Sequence, residues 1–292
     1  MEVEAVRRFN RVVTQRVGAL DEAYLGRDRP LGQDRVLWEI GPEGCDVRAL
    51  RARLELDSGY LSRLLRSLEG AGLVRVEPSV GDRRVRIARL TADGVAEREL
   101  LDARSDQLAT SMLDPLSARQ RDRLVAAMDE VSRLLTASLV QVEVMDPRRA
   151  EAQYCLEAYF AELGRRFDTG FDHTRSISAG NAELTLPAGL LLVATLHAEP
   201  VGCGALKLHD GEPAELKRMW VSPDIRGLGV GRRLLQELER EAVAHGALAV
   251  RLETNRTLTE AIALYRAQGY QEAPAFNAEP YAHHWFEKSL KA

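Results

Sequence analysis

Apolar positions follow two different periods along the chain, and the change comes near residue 138. Up to that point the spacing is mostly helical. In "AVRRFNRVVTQRVGALDEAYL" the apolar positions Val6, Phe9, Val12 or Val13, Val17 and Leu20 recur at three to four residues and predict one helical stripe. "DVRALRARLELDSGYLSRLLRSLEGAGL" reads as two short helices with a tight connection at about Glu55 to Asp57. Leu61, Leu64, Leu65 and Leu68 share one face of the second helix, which leaves Ser58, Ser62, Arg63 and Arg66 to face outward. Gly70 and Gly72 are stop signals. "LVRVEPSVGDRRVRIARL" then alternates. Val74 and Val76 set against Arg75 and Glu77, and Val85 and Ile87 set against Arg84 and Arg86, predict a hairpin with one apolar and one basic face. Long amphipathic helices are predicted near residues 92–112 and 117–137.

Beyond residue 138 the pattern is mixed. "VQVEVM" alternates as a strand, and "PRRAEAQYCLEAYFAELGRRF" is helical with Pro147 in the first turn. "GLLLVATLHAEPVGCGALKLH" gives two strands with a turn at "HAEP", and "AELKRMWVSP" gives a third. A glycine loop, a long helix, the strand "LAVRLETN", the helix "TLTEAIALYRAQG" and the strand "HHWFEKSL" complete the series. Paired strands followed by β–α–β–α–β predict an α+β sheet with helices on its faces. No internal repeat is visible. The expected domains are 1–138 and 139–292.

Composition narrows the function classes. Among 292 residues, 45% are hydrophobic and 29% charged, and no apolar run reaches the roughly 18 residues of a membrane span. The charged start "MEVEAVRRFN" has no secretory character. Cys45, Cys155 and Cys203 are too few and too scattered for a disulfide framework or a zinc site, so no metal is expected and a reducing cytoplasm fits. The scarcity of lysine against arginine reads as genome bias. The net charge of −4 hides an island: residues 48–89 carry ten arginines against five acids, a local +5 that leaves −9 elsewhere. A basic island in an acidic chain suggests a local anionic partner, the plain alternative being a solvated surface.

The helix pair and basic hairpin have the shape of a major-groove reader with a wing. Arg63 and Arg66 suit guanine edges or phosphates, Ser58 and Ser62 suit phosphates, and arginines at the hairpin tip (Arg83, Arg84, with Arg86 behind) suit a minor groove. "GLVRVEPSVGDRRVRIARLTADG" (72–94), with its Asp82-x-Arg84 and "RLTADG", resembles the MarR family of winged helix-turn-helix regulators over about residues 5–138. That resemblance implies a homodimer built from the first and last two helices, a pseudo-palindromic double-stranded operator and a DNA contact by Arg84.

"RGLGVG" (226–231) lies between a strand and a helix, where backbone amides bind phosphate. Its third glycine comes one residue too early for a dinucleotide fingerprint, and no Gly-Lys-Ser/Thr follows. "AELKRMWVSPDIRGLGVGRRLL" and "RLETNRTLTEAIALYRAQGY" together resemble the GNAT acyltransferase superfamily, from about residue 139 onward, through Arg226, Gly229 and Gly231. The resemblance implies a mixed, splayed central sheet and acetyl-CoA as co-substrate. Its pyrophosphate would rest on Arg226, Gly227, Leu228, Gly229, Val230, Gly231 and Arg232. Its pantetheine arm would lie along Met219, Trp220 and Val221. Tyr265 is the implied proton donor, and Glu215 or Glu253 the base, unless a water chain serves alone. The asparagine that often precedes the tyrosine by seven residues is Leu258 here, with Asn255 out of register. Thr257-x-x-Glu260 reads as a capping box. Phe171, Asp172 and Arg175 are placed at the acceptor mouth, and at most one of His283 and His284 faces the site. The expectation is a cytoplasmic, nucleoid-associated regulator that also acetylates a small-molecule amine. The rivals are a regulator that only senses acyl-CoA and a protein lysine acetyltransferase with a dimerisation module.

Overall fold

The apolar stripe at the start ends sooner than its pattern. In the computed structural model, which describes residues 1–20, 24–79, 81–168, 170–172, 174–177 and 180–290, helix α1 is Glu2–Arg16. Val17 caps it and Gly18 turns left-handed at φ +69°, so Val17 and Leu20 fall outside the helix. Parts of three predicted segments lie outside the described residues: 21–23 of the first helix, Val80 of the wing turn, and Thr169 and His173 of the acceptor mouth.

Packing divides the chain into two units, Met1–Glu130 and Val131–Ala292. In the first, α2 (Leu31–Ile40), strand β1 (Cys45–Asp46), α3 (Val47–Leu54) and α4 (Ser58–Gly70) surround an apolar core. Val36, Leu37 and Ile40 meet Leu50 and the predicted Leu61, Leu64, Leu65 and Leu68 there. The side chain of Asp46 caps α3 through Arg48 N–H (2.6 Å), and that of Asp57 caps α4 through Tyr60 N–H (2.9 Å). Glu55 makes the turn between the helices at φ +52°. Gly72 ends the fourth helix region at φ +73°.

Strands β2 (Val74–Pro78) and β3 (Arg86–Leu90) form the hairpin, and β1 pairs with β3 at Cys45–Ala88, a partner the sequence reading missed. The hairpin faces need correction. Val76 is opposite Ala88 and Val74 opposite Leu90, while Ile87 lies opposite Glu77. Residues directly opposite share a face, so Ala88 and Leu90 complete the apolar side. Ile87 stands with Arg75 and Arg89, and Val85 precedes the strand. The frame slipped because the turn is one residue longer than alternation assumed. α5 (Ala92–Leu113) and α6 (Ala118–Leu139) follow close to their predicted bounds.

The "LTADG" stretch is built for packing. Thr91 caps α5 through Gly94 N–H (3.0 Å) and donates its hydroxyl to Gly72 O (2.6 Å). A Cβ on Gly94 would overlap the carbonyl oxygen of Leu73, and that oxygen is already fixed by Thr91 N–H (3.0 Å). Gly94→Val is therefore expected to destabilise this unit by about 1–3 kcal/mol, the usual range for overpacking, seen as a lower urea midpoint of the helical signal. Gly70→Ala, whose Cβ meets nothing within 4 Å, is expected to leave that midpoint unchanged or slightly raised, because alanine favours the helix.

The second unit holds a seven-stranded sheet. Its elements are β4 (Gln141–Val144), α7 (Ala150–Arg166), β5 (Gly189–Leu196), β6 (Glu199–Lys207), β7 (Ala214–Val221), α8 (Val230–Ala244), β8 (Ala249–Thr254), α9 (Thr259–Ala267), β9 (Gln271–Glu272) and β10 (His284–Ser289). The strand order is β4-β5-β6-β7-β8-β10-β9, antiparallel except for β7–β8. Leu190 and Leu192 of β5 pack with Leu234, Leu235 and Leu238 of α8, whereas Leu191 and Val193 pack with Ala152, Cys155 and Leu156 of α7. The unbroken apolar run of β5 thus reports a strand covered on both faces. Pro147 is not in the first turn of α7. It sits in the preceding turn, where the Asp146 carboxylate accepts Arg148 N–H (2.9 Å), and α7 begins after its cap at Arg149.

Candidate active site and nucleic-acid face

Strands β7 and β8 pair only at Ala214–Val250 and Glu215–Arg251 and then part. Beyond those pairs the edge of β7 lacks a neighbouring strand, so its backbone groups are available to a ligand. Two cavities, of about 440 and 100 Å³, occupy the opening.

The larger is the phosphate side. Of the ten residues assigned to the cofactor from the sequence, nine line it, Met219 to Val221 and the loop from Arg226 to Arg232. Leu228 does not, and packs against the core instead. The loop turns left-handed at Gly227 (φ +84°) and Gly229 (φ +79°). Gly229 caps α8, whose first internal hydrogen bond runs from Arg233 N–H to Gly229 O (3.0 Å). That leaves the amides of Val230, Gly231 and Arg232 without acceptors in the helix, at its positive end. The Arg226 side chain stays partly exposed but bonds back to the protein. It donates to Val221 O (3.0 Å) and to Glu162 (2.5 Å), which also accepts Trp220 Nε1–H (3.0 Å), so Arg226 ties the loop to the end of β7.

The smaller cavity adjoins the larger, and α7 lines both. Its aromatic walls are Tyr159, Phe167, Phe171 and Tyr281. Tyr265, Leu258, Ala261 and Met219 line both cavities, so the two meet at Tyr265. Tyr265 is 6% exposed, and burial first, then the nearby Tyr159 and Glu253, pushes its pKa up.

The two candidate bases are placed differently. Glu253 lines the smaller cavity, paired with Lys217 and accepting Asn277 Nδ2–H (3.3 Å). Glu215 lines neither. It accepts Arg251 Nη2–H (2.8 Å) and lies 3.3 Å from Lys217 Nζ. Burial acts to raise its pKa, but Arg251 and Lys217 outweigh burial and hold it below the usual carboxylate value.

Phe171 reaches the smaller cavity, whereas Asp172 and Arg175 do not line it; the Asp172 carboxylate accepts Thr174 N–H (2.9 Å). Neither His283 nor His284 lines either of these two cavities, and His284 Nδ1 is 3.2 Å from Glu272. The expected capping box at Thr257 is not formed. α9 is capped at Leu258 without a side-chain bond, the Thr257 hydroxyl has no partner, and Glu260 pairs with Arg166 (2.7 Å). Asn255 shapes that turn instead. It accepts Thr257 N–H (3.0 Å) and donates to Tyr281 O (2.7 Å). Sequence reasoning gave no site role to Lys217 and Arg218, which β7 brings to the smaller cavity, to Asn255 at the end of β8, or to Glu279 and Tyr281, which a segment distant in sequence supplies.

In the first unit, Ser58, Ser62, Arg63 and Arg66 are exposed along α4, and Arg83 and Arg84 at the hairpin tip. Asp82 explains the tip's shape, because its carboxylate accepts Arg84 N–H (2.9 Å) and its carbonyl accepts Val85 N–H (3.0 Å). Arg86 donates to Val76 O (3.2 Å). A groove between α3, α4 and the hairpin is lined by Ser58, Ser62, Arg66 and Arg86, and by Arg48 and Arg51, which the sequence reading did not assign.

Residues 154–270 match the acetyltransferase (GNAT) family model, and residues 28–85 match the MarR family model. The chain joins a MarR-family domain to a GNAT-family domain. The chain is 44% identical over 94 residues to the IAA acetyltransferase of Azospirillum brasilense, covering 32% of this chain and 61% of that protein. It is 34% identical over 99 residues to an uncharacterized N-acetyltransferase of Schizosaccharomyces pombe, covering 33% and 58%. The chain thus spans about three fifths of the length of these relatives. A solved GNAT-family acetyltransferase from Staphylococcus aureus is 20% identical, with 52% of this chain and all of that one covered and a TM-score of 0.46. Among the described residues no helix is long and apolar enough to cross a membrane, and no cluster of metal-ligating side chains occurs.

Proposed function

We propose that this protein is a cytoplasmic DNA-binding regulator whose GNAT-family domain transfers the acetyl group of acetyl-CoA to the amine of a small molecule. The meeting of the two cavities at Tyr265 carries this reading, since it offers a cofactor channel and a small acceptor space with the buried Tyr265 phenol lining both, and Tyr159 beside it. On this reading the two functional parts join at 138/139, at the end of α6, whereas packing divides the chain earlier in that helix, between Glu130 and Val131. Acetyl-CoA would lay its pyrophosphate on the free amides that open α8 and its pantetheine along Met219–Val221. An acceptor ammonium gives one proton to Glu253 or to water. The neutral nitrogen attacks the thioester carbonyl, the C–S bond breaks, and the departing thiolate takes the Tyr265 proton. The amide nitrogen's surplus proton returns through solvent to the phenolate, leaving acetamide, CoA thiol and one released proton. Glu253 is the better-placed base, because Glu215 lies outside both cavities and is held by Arg251. Thiol release from acetyl-CoA over a panel of amines tests the reading. Binding of acetyl-CoA with no amine turned over favours the sensing alternative, for which Leu258 in place of the usual asparagine speaks.

On the DNA side, the basic groove and the arginine tip support operator binding. Exposed apolar side chains on α1 (Val6, Phe9, Val12) and α6 (Val125, Met128) support a homodimer. Arg84→Ala is expected to weaken binding to all DNA sequences alike and to lower the salt slope of log K by about one for each phosphate the side chain had neutralised. Arg63→Ala, at a base-reading position, is expected to cost about 1–3 kcal/mol at the operator and to relax its specificity. Fluorescence anisotropy of operator and unrelated duplexes across a salt series measures both. Equal effects of the two variants on both duplexes would remove the assignment of α4 as the reading helix.

A further inference from the structure

The smaller cavity contains a cation that acetyl transfer to a simple amine does not need. β7 carries a bulge: Trp220 pairs with Cys203 and Lys217 with Ala205, so Arg218 and Met219 share the single partner position of Gly204. Arg218 takes φ +59°, a left-handed conformation costly for a side chain of this kind. The bulge resets the alternation. Lys217 faces the α7 side with Ala205, and its successor Arg218 does too, with its guanidinium 4.4 Å from the centre of the Phe160 ring and 5.8 Å from that of Tyr159. A regular strand would have sent the two residues to opposite faces.

Every charge in this cavity has partners within the chain, Arg218 included. Lys217 is shared between Glu253 and Glu215. The Glu279 carboxylate accepts Ser176 Oγ–H (2.9 Å) and Ile177 N–H (2.6 Å). Arg218 is 9% exposed, and its burial lowers its pKa, so the fold bears a cost to keep a guanidinium there. It is also engaged within the chain, but five donors in a planar fork accommodate a chain partner and a ligand carboxylate together.

We propose that the acceptor is an amine that also carries a carboxylate, an amino-acid-like zwitterion, with Arg218 holding the carboxylate and Glu253 facing the amine. This rests on the acetyl-transfer reading for its amine and on the cavity alone for its carboxylate. The aromatic walls, with Phe171 and Tyr281 rings 4.9 Å apart, suit the apolar remainder of such a molecule.

The test pairs amino acids with their decarboxylated twins: alanine with ethylamine, leucine with isoamylamine, phenylalanine with phenethylamine. Thiol release and calorimetric binding to the CoA-loaded full chain are measured for each pair. At least one amino acid is expected to exceed its twin tenfold or more in binding and in kcat/KM. Arg218→Gln is expected to remove that preference by raising KM for the amino acid at least tenfold more than it raises KM for the twin. Arg218→Lys, which keeps the charge but not the fork, is expected to fall between and guards against a folding defect in the first variant. Amino acids that bind through Arg218 without thiol release would leave the carboxylate site standing and remove the transfer reading. Equal turnover of both twins, or equal losses for both in the Arg218 variants, would overturn the carboxylate site and leave transfer standing. Neither binding nor release by any member would overturn both.

Discussion

Gly229→Trp is expected to weaken acetyl-CoA binding by about 100-fold in a calorimetric titration. Gly229 caps α8 at φ +79°, and a side chain in the left-handed region costs roughly 1–2 kcal/mol of backbone strain. Relief of that strain would rotate the amides of Val230 and Gly231 away from their common direction, and each lost amide–phosphate bond costs about 1.5–3 kcal/mol. The effect is one of backbone, not of crowding, because a Cβ at Gly229 meets nothing within 4 Å. Gly231 behaves differently. Its φ lies outside the left-handed region, and a Cβ there would touch Leu264 and Val221 at ordinary distances of 3.4 and 3.6 Å. Gly231→Ala is accordingly expected to bind acetyl-CoA within a few-fold of the parent. Unchanged affinity in Gly229→Trp would remove the pyrophosphate from this loop.

Tyr265→Phe is expected to lower kcat by about 100-fold or more, the range for losing a positioned general acid, with the affinity for acetyl-CoA unchanged. The substitution removes one hydroxyl from a ring packed near Tyr270 and Phe286, so the fold has little cause to change. Burial raises the Tyr265 pKa. The donor form is the protonated one, so the upward shift extends its presence to higher pH. The expected rise in the parent's kcat/KM with pH then belongs to the amine and its base, and Tyr265→Phe should lower the whole profile without moving that limb. A variant with parental kcat would transfer the donor role elsewhere.

Much of the scaffold was legible in local pattern. The leucine stripe of α4 holds because four apolar residues at helical spacing have only one way to reach a core. The glycine loop was legible because few residue types tolerate the backbone it needs. The errors have a common origin in features that local pattern does not carry. The hairpin frame slipped because alternation is blind to turn length. Thr257 and Glu260 had the right spacing for a capping box, but Arg166, distant in sequence, captured Glu260 and left Asn255 to hold the turn. Gly94 looked like part of a wing motif, and its role became clear only when the Leu73 carbonyl was found against it.

The sequence by itself determined the change of period between the two halves, most of their elements, the two family resemblances and the loop that opens α8, because each is written in contiguous residues with a short-range physical cause; α2, β1 and β9 carried no such signal. Tertiary structure alone decided which glutamate stands on a cavity and which is locked to Arg251, for both lie on strands of similar pattern. It also decided that Lys217 and Arg218 share one face. A bulge depends on how β7 meets β6, a long-range pairing, and no local spacing of side chains announces it.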